Sequence, residues 1–235
     1  MAANGARGEV ARAALVASAE RLFAERGIQG VSLRDVSADA GQRNHSAAQY
    51  HFEHRQGLVA AVYETRMALV DAHRRDLLAR LRAEGRGNEV AALVEATVVP
   101  LLAVVAETDG WYARFLDRTR WDPYAWDVQK ALPVAKSFRE VVRALNRALA
   151  VLPASVRRQR IDQMLTLVVG TLAGWEGAPA RGEPRMARTQ LAHELVATAT
   201  ALLTAPTAPT APTERTESST SRRPASRRAL TGARG

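Results

Sequence analysis

The sequence predicts an all-α protein, a small N-terminal three-helix unit followed by a larger helical domain, and three observations predict it. Apolar residues recur at three- and four-residue spacing almost throughout the first 204 positions. Glycine and proline mostly punctuate these stretches rather than interrupt them, Pro100 being the exception. Strand-type alternation bounded by turn residues is sustained nowhere.

Each element has its own justification. Leu15, Ala19, Leu22 and Phe23 fall at i, i+4, i+7 and i+8 and give a first helix over 9–26. Gly27 follows and can take the left-handed conformation that ends it. Ser32 caps a second helix, with Asp35 as its capping-box partner and Leu33, Val36 and Ala40 facing inward, and Gly41 ends it. Asn44, a good N-cap type, starts a short third helix running to about Gln49. A fourth spans 56–82. Further helices are expected at about 88–109, 111–120, 133–150, 153–176 and 185–204, with Pro133 and Pro153 where a first turn tolerates a missing N–H.

From Thr204 the chain turns to repeated Thr-Ala-Pro and then to Ser, Arg and Thr. Residues 205–235 are therefore expected to form a disordered basic tail. The expected domains are 1–56, 57–204 and this tail.

Composition narrows the function. The chain has no cysteine, so disulfides and thiolate metal sites are excluded and a reducing cytoplasm is the expected home. The apolar run Ala96 to Ala106 contains Pro100 and is too short to cross a bilayer, so no membrane partner is expected. The net charge of +9 suits a polyanion, but residues 1–60 hold seven arginines against six acids. Bulk charge thus does not locate a nucleic-acid site, and the residue pattern has to.

That pattern is a helix-turn-helix. A short helix, a glycine-bearing turn and a second short helix, packed on a longer one, allow the second short helix to enter a DNA major groove. Here that element is Asn44-His-Ser-Ala-Ala-Gln49, whose short or hydrogen-bonding side chains suit close approach to base edges. The alternative is a polar surface helix of an ordinary bundle.

Over Arg12 to Leu58 the chain resembles the DNA-binding domain of the TetR family of bacterial regulators. The resemblance is carried by Ala19, Leu22-Phe23-Ala24, Gly27, Ser32-Leu33-Arg34-Asp35-Val36, Ala40-Gly41, Tyr50-His51-Phe52 and Leu58. It implies that Phe52 closes the head's core beside Phe23, and that Tyr50 and His51 contact the DNA backbone. It places Arg55 at the start of the fourth helix, where a cation and helix amides meet phosphate. Ser32 and Arg34 on the second helix also face the DNA in this reading. The chain departs from the family in having eleven residues rather than ten from Gly41 to Phe52, with the extra one at Gln42 or Arg43. It also has Gln49 where the family most often has a tyrosine. The expected DNA-contacting set is completed by Asn44, His45, Ser46 and Ala47.

In the second domain, six of the chain's twelve aromatic residues fall between 111 and 126. Trp111, Phe115, Trp121, Tyr124 and Trp126, with Phe138 beyond them, are the expected lining of a small-molecule pocket; the alternative is that they fill a core. Two apolar stripes are expected to pair with their symmetry mates in a homodimer. One holds Ile161, Met164, Leu165, Val168, Leu172 and Trp175, and the other Leu191, Leu195, Ala199 and Leu202. The alternative is burial within one subunit.

No nucleophile elbow or phosphate-binding glycine loop is present, and the two lysines, Lys130 and Lys136, lie outside any glycine-rich context. No catalytic residue, cofactor or metal is expected. The expected function is a homodimeric DNA-binding transcriptional regulator, a repressor released from a palindromic double-stranded operator by a small apolar effector. One alternative is a ligand-independent regulator controlled by a protein partner or acting as an activator. Another is a helical metal-dependent hydrolase centred on His51, Glu53 and His54.

Overall fold

The computed structural model describes residues 2–44, 46–108, 110–131 and 135–207, and among these the only regular structure is helical. The expected tail lies outside the described residues from 208 onward. The head is built from α1 (Ala2–Arg26), α2 (Leu33–Asp39) and α3 (Ala47–Phe52). Leu15, Ala19, Leu22 and Phe23 are buried, as their spacing requires, and pack with Val36, Ala48 and Phe52. Gly27 ends α1 with φ +74°. The Ser32 capping box is complete: Ser32 Oγ accepts the Asp35 N–H at 3.1 Å, and the Asp35 carboxylate accepts the Ser32 N–H at 2.9 Å.

Helix α4 (Arg55–Ala83) runs from the head through the rest of the molecule. At 29 residues it is roughly 40 Å long. The expected domain boundary at 56/57 falls within its first turn, so the head and the remainder share one continuous helix. The remaining elements are α5 (Val90–Glu107), α6 (Tyr112–Thr119), α7 (Pro123–Ala131), α8 (Lys136–Ala148) and α9 (Ala154–Gly177). A short 3-10 turn (Pro179–Arg181) then precedes α10 (Arg188–Thr204). The helix expected at 133–150 thus begins at Lys136, and Pro133 lies outside the described residues. α7 was not expected at all.

Helix α5 is the spine of the second bundle. It is longer than the apolar run seen in the sequence, and with a mean hydropathy of 2.0 over 18 residues it is long and apolar enough to cross a membrane. Here it is largely buried, packed against α4, α8, α9 and α10. Pro100 sits in its middle, and the helix continues through it.

Helix α6 joins the two halves, packing on α1 on one side and α9 on the other. Phe115 of α6 is fully buried, with ring centroids 6.3 Å from Phe23 of α1, 4.9 Å from Tyr63 of α4 and 6.4 Å from Tyr112. Burying such a ring stabilises by roughly 1.5–3 kcal/mol, and aromatic pairing adds to it. A second tie is the ion pair of Arg66 on α4 with the buried Glu20 on α1 at 2.5 Å.

Candidate nucleic-acid interface and ligand cavity

Helix α3 begins at Ala47 with Ser46 at its N-cap position, two residues later than an Asn44 cap would place it, and the reason is local. Asn44 does not cap it. The Asn44 carboxamide oxygen accepts the Ser46 N–H at 2.9 Å and closes a side-chain turn ahead of the helix. Ser46, at the N-cap position, makes no side-chain capping bond. The cap comes instead from α2. The buried Ser37 hydroxyl accepts the Ala48 N–H at 3.0 Å and donates to the Leu33 carbonyl at 3.1 Å. A six-residue helix is marginal alone, so α3 depends on this bond to α2 and on the burial of Ala48 and Phe52.

The junction with α4 is equally constrained. Glu53 has φ +58° and ψ −50°, and the His54 N–H meets the Phe52 carbonyl at 2.5 Å, a γ-turn with strained backbone. His54 Nδ1 then accepts the Gly57 N–H at 3.3 Å and caps α4. That turn swings the Phe52 carbonyl over Gly57, where an added Cβ would lie 2.4 Å from the oxygen. His54 Nδ1 thus serves as a helix cap. Among the described residues no three His, Asp or Glu side chains are grouped to hold a metal ion.

Of the expected DNA-contacting residues, Ser32, Arg34, Arg43, Asn44, Ser46, Gln49 and Tyr50 are exposed, and Tyr50 is 84% exposed. Gln42, Ala47 and His51 are half-buried, with the His51 ring 5.3 Å from that of Tyr50. His45 lies outside the described residues. Arg55 is half-buried and turned toward the protein: its guanidinium donates to Gln29 Oε1 at 3.1 Å, and its Nε is buried with no hydrogen-bond partner.

The aromatic cluster divides. A cavity of about 500 Å³ opens between α4, α5, α6, α8 and α9. Among the described residues, Trp121 and Phe138 are the members of the expected lining that contribute to it. Phe115 is a core residue for the reason given above. Trp111 lies elsewhere, stacked 3.7 Å from the Arg114 guanidinium and facing Arg21 at 5.9 Å, on the α1–α6 side. Tyr124 is half-buried and does not line the cavity; burial raises its phenol pKa. The Trp126 side chain lies outside the described residues. Tyr112, from the same run of aromatics, also lines it, and most of the rest of the wall comes from residues not expected from sequence, among them Tyr63, Met67, Arg74, Leu101 and Leu116. One signal was present. Tyr63, Met67, Val70, Arg74, Leu77 and Leu81 follow a strict four-three seam along α4, and Arg74 occupies an apolar slot in it.

The apolar stripes on α9 and α10 are buried inside the chain, not held out for a partner. Ile161, Met164, Val168, Leu172, Leu191, Leu195 and Ala199 are all at most 6% exposed. Leu165 lines the cavity, and Leu202 is half-buried against the core. Trp175 donates its indole N–H to the Met186 carbonyl at 2.8 Å and stacks with Arg185. The helices are amphipathic as predicted; it is the intramolecular core that claims their apolar faces.

Glu176, one residue beyond that stripe, was not singled out by sequence. It is 2% exposed, and its two oxygens accept the Ala113 and Arg114 N–H groups at 3.1 and 2.9 Å. It thereby caps α6, whose N-cap residue Trp111 makes no capping bond. Burial raises its pKa, opposed by those amides and by the Arg114 guanidinium.

No family model matches the chain, and no curated protein matches it. Solved structures similar to it include a transcriptional regulator from Rhodococcus sp. (23% identity, 82% of this chain and 95% of that one, TM-score 0.45). A TetR-family transcriptional regulator from Pectobacterium atrosepticum is 27% identical over 84% of this chain and 94% of that one, with a TM-score of 0.38. A mutant of the protein HlyIIR is 14% identical over 78% and 96%, with a TM-score of 0.46.

Proposed function

We propose that the chain is a cytoplasmic, homodimeric transcriptional regulator of the TetR type, a repressor that leaves a palindromic operator when a small molecule fills the cavity. The observation that carries the DNA-binding reading is the outward face of α3. Gln49 and Tyr50 stand exposed on the face of α3 opposite the buried Ala48 and Phe52, and Arg34 on α2 and Arg43 in the turn are exposed as well. Hydrogen-bonding groups on a narrow helix flanked by arginines suit base edges and phosphates together. Arg55 is better placed to support the head through Gln29 than to lead the phosphate contacts.

Coupling runs through α6 in this reading. Tyr63 and Tyr112 line the cavity and touch Phe115, which touches Phe23 in the head. A ligand that prefers one setting of α6 thereby prefers one setting of α1, which is what linkage between two sites requires. Since the stripes on α9 and α10 are spent internally, dimerisation falls to the half-buried strips beside them on the same helices, around Leu167 and Thr171 and around Ala192 and Val196. A ligand-independent regulator is the second reading, and the cavity weighs against it.

Footprinting on DNA upstream of the chain's own gene tests the proposal. A protected palindrome lost in both Arg43→Ala and Tyr50→Ala variants is expected. Protection that survives both substitutions would remove α3 from the DNA interface.

A further inference from the structure

Arg74 is the least accommodated group in the second bundle. It is 6% exposed, and among the described residues no carboxylate lies within ion-pair distance of it. Asp71, one turn back on α4, is already engaged: Oδ1 accepts the Ser137 N–H and hydroxyl at 2.9 and 2.6 Å, and Oδ2 faces Arg75 at 3.3 Å. The Arg74 guanidinium lies 5.5 Å from the Phe138 ring centroid. Its Nε donates to the Ala96 carbonyl at 2.9 Å. That carbonyl is open because its helical donor would be the N–H of residue 100, which is proline. Burial lowers the Arg74 pKa to about 10, so it stays protonated at neutral pH.

Asp71 offsets part of the burial cost at a distance, but a buried cation with no carboxylate in contact still calls for a partner. With Nε anchored to Ala96, the two terminal nitrogens have no hydrogen bond among the described residues, and the side chain forms part of the cavity wall. Around it the wall is apolar, with Met67, Val70, Leu101, Leu116 and Leu165. The 70% exposed Trp121 marks the open side, with Arg120 and Asp162.

We propose that the cavity binds an amphiphilic carboxylate, its head group held end-on by the two terminal nitrogens of Arg74 and its apolar body along Met67, Leu116 and Leu165. This rests on the reading of the cavity as an effector site and replaces a purely apolar effector with an anionic one. A carboxylate matches the two parallel donors of a guanidinium and supplies the missing charge.

The test is calorimetric titration of the full chain, at moderate salt, with three probes of equal tail: octanoate, octanol and octylamine. Octanoate is expected to bind about tenfold or more tightly than octanol, the scale of a charge-assisted hydrogen bond, and octylamine more weakly than either. In Arg74→Met, octanoate should fall to the level of octanol while octanol itself changes by less than about twofold. If that variant does not fold, the wild-type ranking of the three probes decides alone. Equal binding of octanoate and octanol, or an octanoate preference that survives Arg74→Met, overturns the anionic assignment and leaves the cavity reading standing. Failure of all three to bind removes the effector site and the inference with it.

Discussion

Replacing Ser37 with alanine removes one hydroxyl from the side of α2, yet the effect should be felt in α3. The hydroxyl is fully buried and accepts the Ala48 N–H. Without it that amide has no partner in a site from which Val36, Ala48 and Phe52 exclude water. An orphaned buried donor costs about 1–3 kcal/mol. Little more is lost at the other end of the hydroxyl, because the Leu33 carbonyl can still accept from its own helix. For a cooperative unit of this size, 2 kcal/mol lowers Tm by about 4–8 °C. The control is Ser46→Ala, at the position where a helix-capping serine is normally sought. Ser46 is exposed and makes no capping bond, so its loss should cost less than about 0.5 kcal/mol. Thermal unfolding ranks the two variants, and amide hydrogen exchange at Ala48 localises the effect. A Ser37→Ala protein as stable as wild type, with Ala48 equally protected, would refute the idea that α3 takes its cap from α2. So would a Ser46→Ala protein that loses more than Ser37→Ala.

Gly57→Ala, which in an ordinary exposed helix would stabilise by up to about 1 kcal/mol, should instead destabilise, because the new Cβ meets the Phe52 carbonyl. Urea unfolding gives the sign directly. Glu176→Gln leaves one acceptor for two amides and should cost about 1–3 kcal/mol. Because burial raises the Glu176 pKa, the folded protein holds that proton more tightly than the unfolded chain, so the carboxyl's contribution declines as pH rises above the ordinary glutamate range. The deficit of Glu176→Gln relative to wild type should accordingly be larger near about pH 5 than near about pH 8; the opposite trend would contradict the stated cause. Tyr50→Ala should weaken DNA binding with a stability change under about 0.5 kcal/mol, since the ring is almost fully exposed. Truncation after Thr204 should leave operator preference intact in a binding competition against bulk DNA, losing only salt-sensitive background affinity.

The head could be read from sequence because its signals are local. The Leu15–Phe23 periodicity, the turn glycine Gly27 and the Ser32–Asp35 box each act within a few residues, and each takes the expected form. The start of α3 was misjudged because its cap is eleven residues away, and Asn44 had a competing use in the turn. Helix α7 could have been found. Asp122 precedes Pro123, and its carboxylate accepts the Tyr124 N–H at 2.9 Å, an ordinary local helix start. The stripes on α9 and α10 show the limit of periodicity, which says that a face is buried and not by which molecule. The cavity was largely hidden for the same reason. Its lining comes from five helices, and the aromatics close in sequence went to three different environments.

Pro100 lies in none of the contacts proposed for the ligand, yet it governs them. An alanine there would restore a helical donor to the Ala96 carbonyl and relieve a costly residue in the middle of α5. By any screen for thermal robustness it would be judged an improvement. It would also compete for the carbonyl that anchors Arg74, leaving a looser cation where a fixed one stood. Selection for a tougher fold and selection for a sharper chemical sense therefore pull in opposite directions at this position.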